Sequence, residues 1–168
     1  MCGPRIVYTE QAMSSLEYPD QATLQRWLEE ARVEFYLCDQ CSGLHLPVLQ
    51  EVEGVIDSRL FLESYGLLLT TELEIRPMAL LPIAADLGRL NMDYPTLKIF
   101  TDVVDDATPQ LVAAAQIPTS AGLTLKQCAH FVATAVGATR ALAAECQQLD
   151  YLFQPAESED VAPPGALH

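Results

Sequence analysis

Two cysteines three residues apart, Cys38 and Cys41, are followed four residues later by His45. Thiolates at Cys-x-x-Cys spacing can hold one metal ion from a single turn, and an imidazole is a suitable third donor. Cys38, Cys41 and His45 are therefore the candidate metal ligands. A closed tetrahedral zinc site needs four donors, however, and the chain has no second Cys-x-x-Cys. The same thiols could serve redox sensing, which needs a lowered thiol pKa of the kind a helix N-terminus supplies, whereas a strand is expected to follow this motif. The remaining reading is a turn whose thiols pack or stay free. His45 alternates with Leu44 and Leu46, which sends it to the opposite strand face, where a surface histidine is expected.

The other polar side chains suggest less chemistry. Glu51 and Glu53, Asp57, Glu72 and Glu74, and Asp105 and Asp106 are close carboxylates, yet acids on exposed strand faces and turns ordinarily just solvate the surface. His130 lies beside an apolar helical stripe, and the sequence places no Ser or Cys nucleophile next to either histidine, so no triad is expected. Gly88 and Gly137 stand alone inside helical stretches, and no glycine-rich phosphate loop occurs. The expectation is a protein that is not an enzyme and carries no cofactor.

With 168 residues, half of them hydrophobic and 19% charged, the chain can bury one sizeable core. Its formal charge of −14 repels nucleic-acid phosphates and anionic lipid alike, so neither nucleic acid nor membrane is expected as a partner. The residues from Leu149 onward add only Asp150, Glu157, Glu159 and Asp160 to the acids, so most of the charge belongs to the domain. No apolar run approaches the roughly 18 residues of a membrane span, and Met1 to Glu10 lacks the basic-then-apolar order of a signal peptide. A cytoplasmic location follows as an expectation, and with it five cysteines (Cys2, Cys38, Cys41, Cys128, Cys146) that are thiols or ligands before they are disulfides.

Residues 1–18 mix Gly, Pro, Ser and polar groups without a period and read as a flexible arm; structure is expected to begin near Pro19. Asp20 caps a helix to Arg32 in which Ala22, Leu24, Trp27, Leu28 and Ala31 recur at helical spacing. Val33–Leu37 and Leu44–Leu46 suggest a hairpin around the cysteine motif. Val52–Leu62 and Leu67–Ile75 suggest two more strands about Gly66, and in the second Leu69, Thr71, Leu73 and Ile75 share one face. A helix from Arg76-Pro77 to Asn91 has Leu80, Leu81, Ala84, Leu87 and Leu90 as its expected stripe, with Pro82 either starting or kinking it. Leu97–Val104 and Gln110–Ile117 are strands joined by the turn Asp105-Asp106-Ala107-Thr108-Pro109.

Thr124 and Gln127 form a capping-box pattern ahead of a long helix striped by Cys128, Val132, Ala135, Thr139, Leu142, Cys146 and Leu149. Its many alanines offer a smooth second surface, so a homodimer is expected, with Ala135 and Leu142 as candidate dimer contacts. Residues 152–168 read as an acidic, Pro- and Ala-rich disordered tail, which leaves residues 19–151 as a single domain. The fold class expected is α+β, a mostly antiparallel five-stranded sheet with three helices in the order α-β-β-β-α-β-β-α.

Cys38-Asp39-Gln40-Cys41, Leu44-His45-Leu46-Pro47, Gly54-Val55-Ile56-Asp57 and, above all, Arg76-Pro77 through Leu80-Leu81-Pro82-Ile83-Ala84-Ala85-Asp86-Leu87 resemble the YbjN family of bacterial proteins, over about Leu24 to Cys146. These motifs are structural and bring no active site with them. The resemblance implies a fold like that of type III secretion chaperones, which are acidic homodimers that hold an extended segment of a partner. It also implies a role in regulating stress tolerance, motility or surface polysaccharide. The function expected is a non-enzymatic, protein-binding regulator or chaperone-like adaptor, with Trp27 and Leu28 as candidate partner contacts. A metal- or redox-sensing regulator using Cys38 and Cys41 is the alternative, and an enzyme of unknown class the reserve.

Overall fold

The computed structural model describes residues 15–103 and 108–154. Most of the expected arm and tail, and the turn residues Asp105, Asp106 and Ala107, lie outside these residues. The described part of the arm is tied down, against expectation: Glu17 exchanges two backbone hydrogen bonds with Leu123, each of 2.8 Å, and its carboxylate meets Arg26 at 2.9 Å.

Helix α1, Gln21–Glu30, starts where expected because the Asp20 carboxylate accepts the Thr23 N–H at 2.8 Å. It stops because Arg32 turns left-handed at φ 58°, which lets the Val33 N–H reach the Leu28 carbonyl and satisfy an end-of-helix acceptor. The chain then makes strand β1, Tyr36–Leu37, and strand β2, Leu44–His45. A single helical turn, α2 (Pro47–Gln50), follows; Pro47 sits where its missing N–H costs nothing. This turn is not among the elements expected from the sequence, and the following strand starts at Val55 rather than Val52. Strands β3 (Val55–Glu63) and β4 (Gly66–Glu74) form a long hairpin.

A 3₁₀ turn over Pro77–Ala79 leads into α3, Leu80–Asp93. Pro82 falls in the first turn of α3, so it neither starts nor kinks the helix. Strands β5 (Lys98–Asp102) and β6 (Gln110–Pro118) complete the sheet, and α4 (Leu125–Gln148) closes the fold behind a capping box in which Thr124 and Gln127 satisfy each other's backbone N–H groups. The sheet has six strands rather than five, all paired antiparallel in the order β1-β2-β3-β4-β6-β5.

One sheet face, with Leu44, Leu60, Leu69, Leu73, Leu111, Ala113 and Ala115, packs with the helices into one core. The alternation expected in β4 holds, since Leu69, Thr71, Leu73 and Ile75 are all buried. Helix α4 buries its expected stripe apart from Leu149, which is exposed. The inward stripe of helix α3 runs Leu80, Ile83, Leu87 and Leu90 at alternating three- and four-residue steps, so Leu80, Leu87 and Leu90 face the core as expected, while Ile83 takes the place expected of Leu81, which is 80% exposed, and of Ala84, which is exposed too.

Trp27 is 2% exposed and Leu28 0%, so these two side chains build the core and present nothing to a partner as placed. Ala135 and Leu142 are likewise 1% and 0% exposed within one chain, so a dimer contact through α4 would have to use its other side. Leu152 bridges to Ile75 and is buried, so the domain extends past residue 151.

Candidate metal centre

The cysteine motif, the histidine and a distant aspartate meet on the outer face of the sheet. Strand register brings them there: Tyr36 pairs with His45, and His45 with Arg59, so all three project from the same face while Leu44 and Leu46 enter the core. The loop from Cys38 to Gly43 folds back over this row. Gly43 is needed where the loop crosses, because a Cβ there would come within 2.8 Å of the Phe61 ring.

Three donor atoms converge: Cys38 Sγ and Cys41 Sγ are 3.2 Å apart, and His45 Nε2 lies 3.2 Å from the first and 3.3 Å from the second. Among the described residues they are the one group of three such side chains able to share a metal ion. On the other side of the imidazole, Nδ1 is 2.9 Å from Asp57 Oδ1. Asp57 Oδ1 also accepts from Gln50 Nε2 at 2.7 Å and from the Ser58 N–H at 2.8 Å. The Gln50 amide donates as well to the Tyr36 hydroxyl, whose ring stacks on His45 at 4.7 Å. Arg59 lies between the carboxylates of Asp57 and Glu72 and over the Phe61 ring.

Electrostatics assign the protons. Burial acts to raise the Asp57 pKa, but the donors from Gln50, His45 and the Ser58 N–H outweigh it and hold the carboxyl below its ordinary value. An ionised carboxylate only accepts, so His45 Nδ1 carries hydrogen and donates to it, which turns the Nε2 lone pair toward the two sulfurs in the neutral imidazole. Cys38 is held down to about 7, chiefly by its hydrogen bond with Cys41, then by the Gln40 backbone N–H and by His45. The thiols of Cys128 and Cys146, buried under α4, are each pushed up to about 12 by burial and are packing groups, as their helical stripe implied.

His45 itself is disfavoured as a cation by burial, yet its hydrogen bonds to Asp57 and Cys38 leave the pKa above its ordinary value. In metal-free protein the raised His45 pKa therefore adds stability that is fully present below about pH 6.5, the unfolded value, for as long as Asp57 stays ionised, and that is lost as pH rises through the folded value. NMR titration should place the His45 midpoint above about 6.5 and show it fall in Asp57→Asn; a midpoint unmoved by that substitution would contradict the pairing.

Three of these residues were singled out from the sequence, and the structure brings them together in a setting the sequence did not indicate. His45 is on the face opposite the leucines, as expected, yet it is 6% exposed rather than a surface residue, because Tyr36 and the cysteine loop cover it. No triad was expected, yet the imidazole of His45 touches thiols on one side and the Asp57 carboxylate on the other. That order can activate a nucleophile; three cavities of the molecule lie elsewhere, in the α1–α2–α4 groove, between β6 and α4, and between α3 and α4. The roles of Asp57, Gln50 and Tyr36 were missed. Asp57 was visible only as one acid among several, and the register that brings it under His45 involves a bulge in β3 between Val55 and Asp57. His130 is exposed on α4, apart from this cluster.

Comparison with known proteins agrees with this architecture. Residues 20–148 match the family profile described as "Putative bacterial sensory transduction regulator". The YbjN protein of Escherichia coli K12 is 40% identical over 120 residues, covering 71% of this chain and 76% of its own; that of Shigella flexneri matches equally. The crystal structure of YbjN from E. coli superposes with a TM-score of 0.81 at 35% identity, covering 84% of this chain and all of that one. No helix among the described residues is long and apolar enough to cross a membrane. With profile, sequence and fold in agreement over most of the domain, this chain belongs to the YbjN family of bacterial proteins.

Proposed function

We propose that this protein is a non-enzymatic regulator of a bacterial stress, motility or surface-polysaccharide response, with its sensory input at Cys38, Cys41 and His45 and its output made by protein contact. The observation that carries the reading is the convergence of two part-exposed sulfurs and one imidazole nitrogen within 3.3 Å. Cys38, Cys41 and His45 lie outside the hydrophobic core, so donor atoms brought together on the outer face argue for a ligand or redox input.

The output surface favoured is the groove of about 500 Å³ between α1, α2 and α4, lined by Val33, Glu34, Val48, Val132, Ala133 and Val136 among others. Val33 and Glu34 lead into Tyr36, and Val48 is two residues before Gln50, so both groups that brace the centre are joined by short backbone to the groove wall. A polypeptide segment with an apolar face and basic flanks fits it, given a chain charge of −14. The same charge speaks against direct DNA contact, although the E. coli relative carries the description "a putative transcription regulator". Self-association as a homodimer is part of this proposal.

Strains in which the gene is deleted or replaced by Cys38→Ser/Cys41→Ser provide the test. The serine strain should match the deletion strain in stress survival, motility and polysaccharide output, while the variant protein keeps the circular dichroism spectrum of the parent. Parental behaviour in the serine strain, where the deletion strain differs from the parent, would refute a sensory role for these cysteines.

A further inference from the structure

We infer that the cluster is a three-donor site for a thiophilic divalent cation of the zinc class, ligated by Cys38 Sγ, Cys41 Sγ and His45 Nε2, with Asp57 as positioning residue and the fourth position open to an exogenous ligand. This rests on the reading of the cluster as a sensory input and names what it senses.

Distance comes first. A tetrahedral zinc ion with Zn–S of about 2.3 Å and Zn–N of about 2.0 Å sets sulfur atoms about 3.8 Å apart and sulfur about 3.5 Å from nitrogen. To hold the ion, the 3.2 Å sulfur–sulfur contact would open by about 0.6 Å and the two sulfur–nitrogen contacts of 3.3 and 3.2 Å by about 0.2–0.3 Å. Nε2 stands almost equally far from both sulfurs. A histidine beside one sulfur would already serve a redox dithiol by lowering its thiol pKa; one almost equidistant from both also suits a shared ion.

The surrounding residues are those a metal-binding histidine requires. Such a ligand nearly always donates its other N–H to a carboxylate or carbonyl, which fixes ring and tautomer. Asp57 does this at 2.9 Å and is itself held by Gln50 and the Ser58 N–H, while Tyr36 stacks on the ring. Thiolate sulfur with imidazole selects zinc over magnesium, calcium or manganese, which prefer oxygen. Two sulfurs and one nitrogen leave a tetrahedral ion one donor short, and among the described residues no further His, Cys, Asp or Glu belongs to the donor group. Asp57 is already committed to His45. Because Cys38 and Cys41 are both partly exposed, the vacant direction can be reached from solvent.

The test uses reduced full-length protein carrying Cys2→Ser, so that Cys2, outside the described residues, adds no thiol. Zn²⁺ and Co²⁺ are titrated against a competing chelator. One equivalent of Co²⁺ should bind with a thiolate-to-metal charge-transfer band and tetrahedral d–d bands, and imidazole should shift the d–d bands without removing the metal. Cys38→Ser and Cys41→Ser should each lose the charge-transfer spectrum. Asp57→Asn should keep it but weaken affinity by about 10- to 100-fold. Absence of stoichiometric metal, or an octahedral spectrum unchanged by the serine substitutions, overturns the site. Bands indifferent to imidazole overturn the open position. If metal fails to bind and mild peroxide instead links Cys38 to Cys41, with the mass falling by two hydrogens, the metal assignment falls while the sensory reading stands. Loss of the strain phenotype is scored separately and bears only on that reading.

Discussion

Replacing Trp27 with alanine is expected to lower the unfolding free energy by about 3–5 kcal/mol, the range for truncating a large buried aromatic residue. Trp27 is the largest of the fully buried side chains and sits on α1 beside Leu24 and Leu28, both 0% exposed. Removing the indole leaves a cavity where α1 meets the core beside α4, and a close-packed interior collapses into such a space only partly. Urea denaturation monitored by far-ultraviolet circular dichroism should show a lower midpoint with an unchanged slope. The experiment also discriminates between roles: were Trp27 a docking residue, its removal would leave stability nearly unchanged and weaken partner binding.

A second large loss is expected from Gly66→Ala, about 3 kcal/mol, the upper end for a residue forced into glycine-only backbone. Gly66 opens β4 at φ 148°, directly after the two-residue turn Ser64-Tyr65. Neither turn residue has a positive φ, so the turn lacks the twist that a tight hairpin prefers and Gly66 absorbs the mismatch. An added Cβ would also stand 2.2 Å from the Ile117 carbonyl oxygen and 2.9 Å from Pro118 Cα. Both are backbone atoms of β6, so relief requires prising β4 from its neighbour at the middle of the sheet. Gly88→Ala in α3 is the internal comparison, since nothing lies within 4 Å of its added Cβ and alanine should stabilise the helix by roughly 0.5–1 kcal/mol. Melting temperatures moving in opposite directions would confirm both statements; equal shifts would contradict them.

The candidate centre occupies the weakest part of the sheet. Strand β1 has two residues and lies at the edge, held to β2 by two residue pairs. Cys38 follows it directly, and His45 is on β2. An ion or a disulfide at this point would fix an edge that otherwise has few contacts, and low-stability elements are where switching is least costly. Tyr36 and Gln50 would carry the change toward the groove, because each touches the centre and belongs to a segment lining that groove.

Periodicity and capping were sufficient for most of the architecture. The Thr124–Gln127 box and the spacing from Cys128 to Cys146 specify α4 and its buried side, and the alternation from Leu69 to Ile75 specifies the inward face of β4. Both are local properties, decided by residues three, four or two positions apart. Helix α3 was harder to read because Leu80, Leu81, Ile83 and Leu87 allow more than one apolar stripe, and only contact with β5 chooses among them.

The donor types at Cys38, Cys41 and His45 were likewise open to reading, since their spacing is local and their chemistry belongs to the side chains. That Asp57 holds the imidazole, that Tyr36 covers it, and that Gln50 braces both is a matter of strand register, a β3 bulge and one short helical turn. Such contacts join residues up to 14 positions apart, and nothing in the local pattern of a chain encodes which strand residue will stand opposite which. Tertiary pairing alone set two cysteines and a histidine beside the residues that brace them as a candidate three-donor centre.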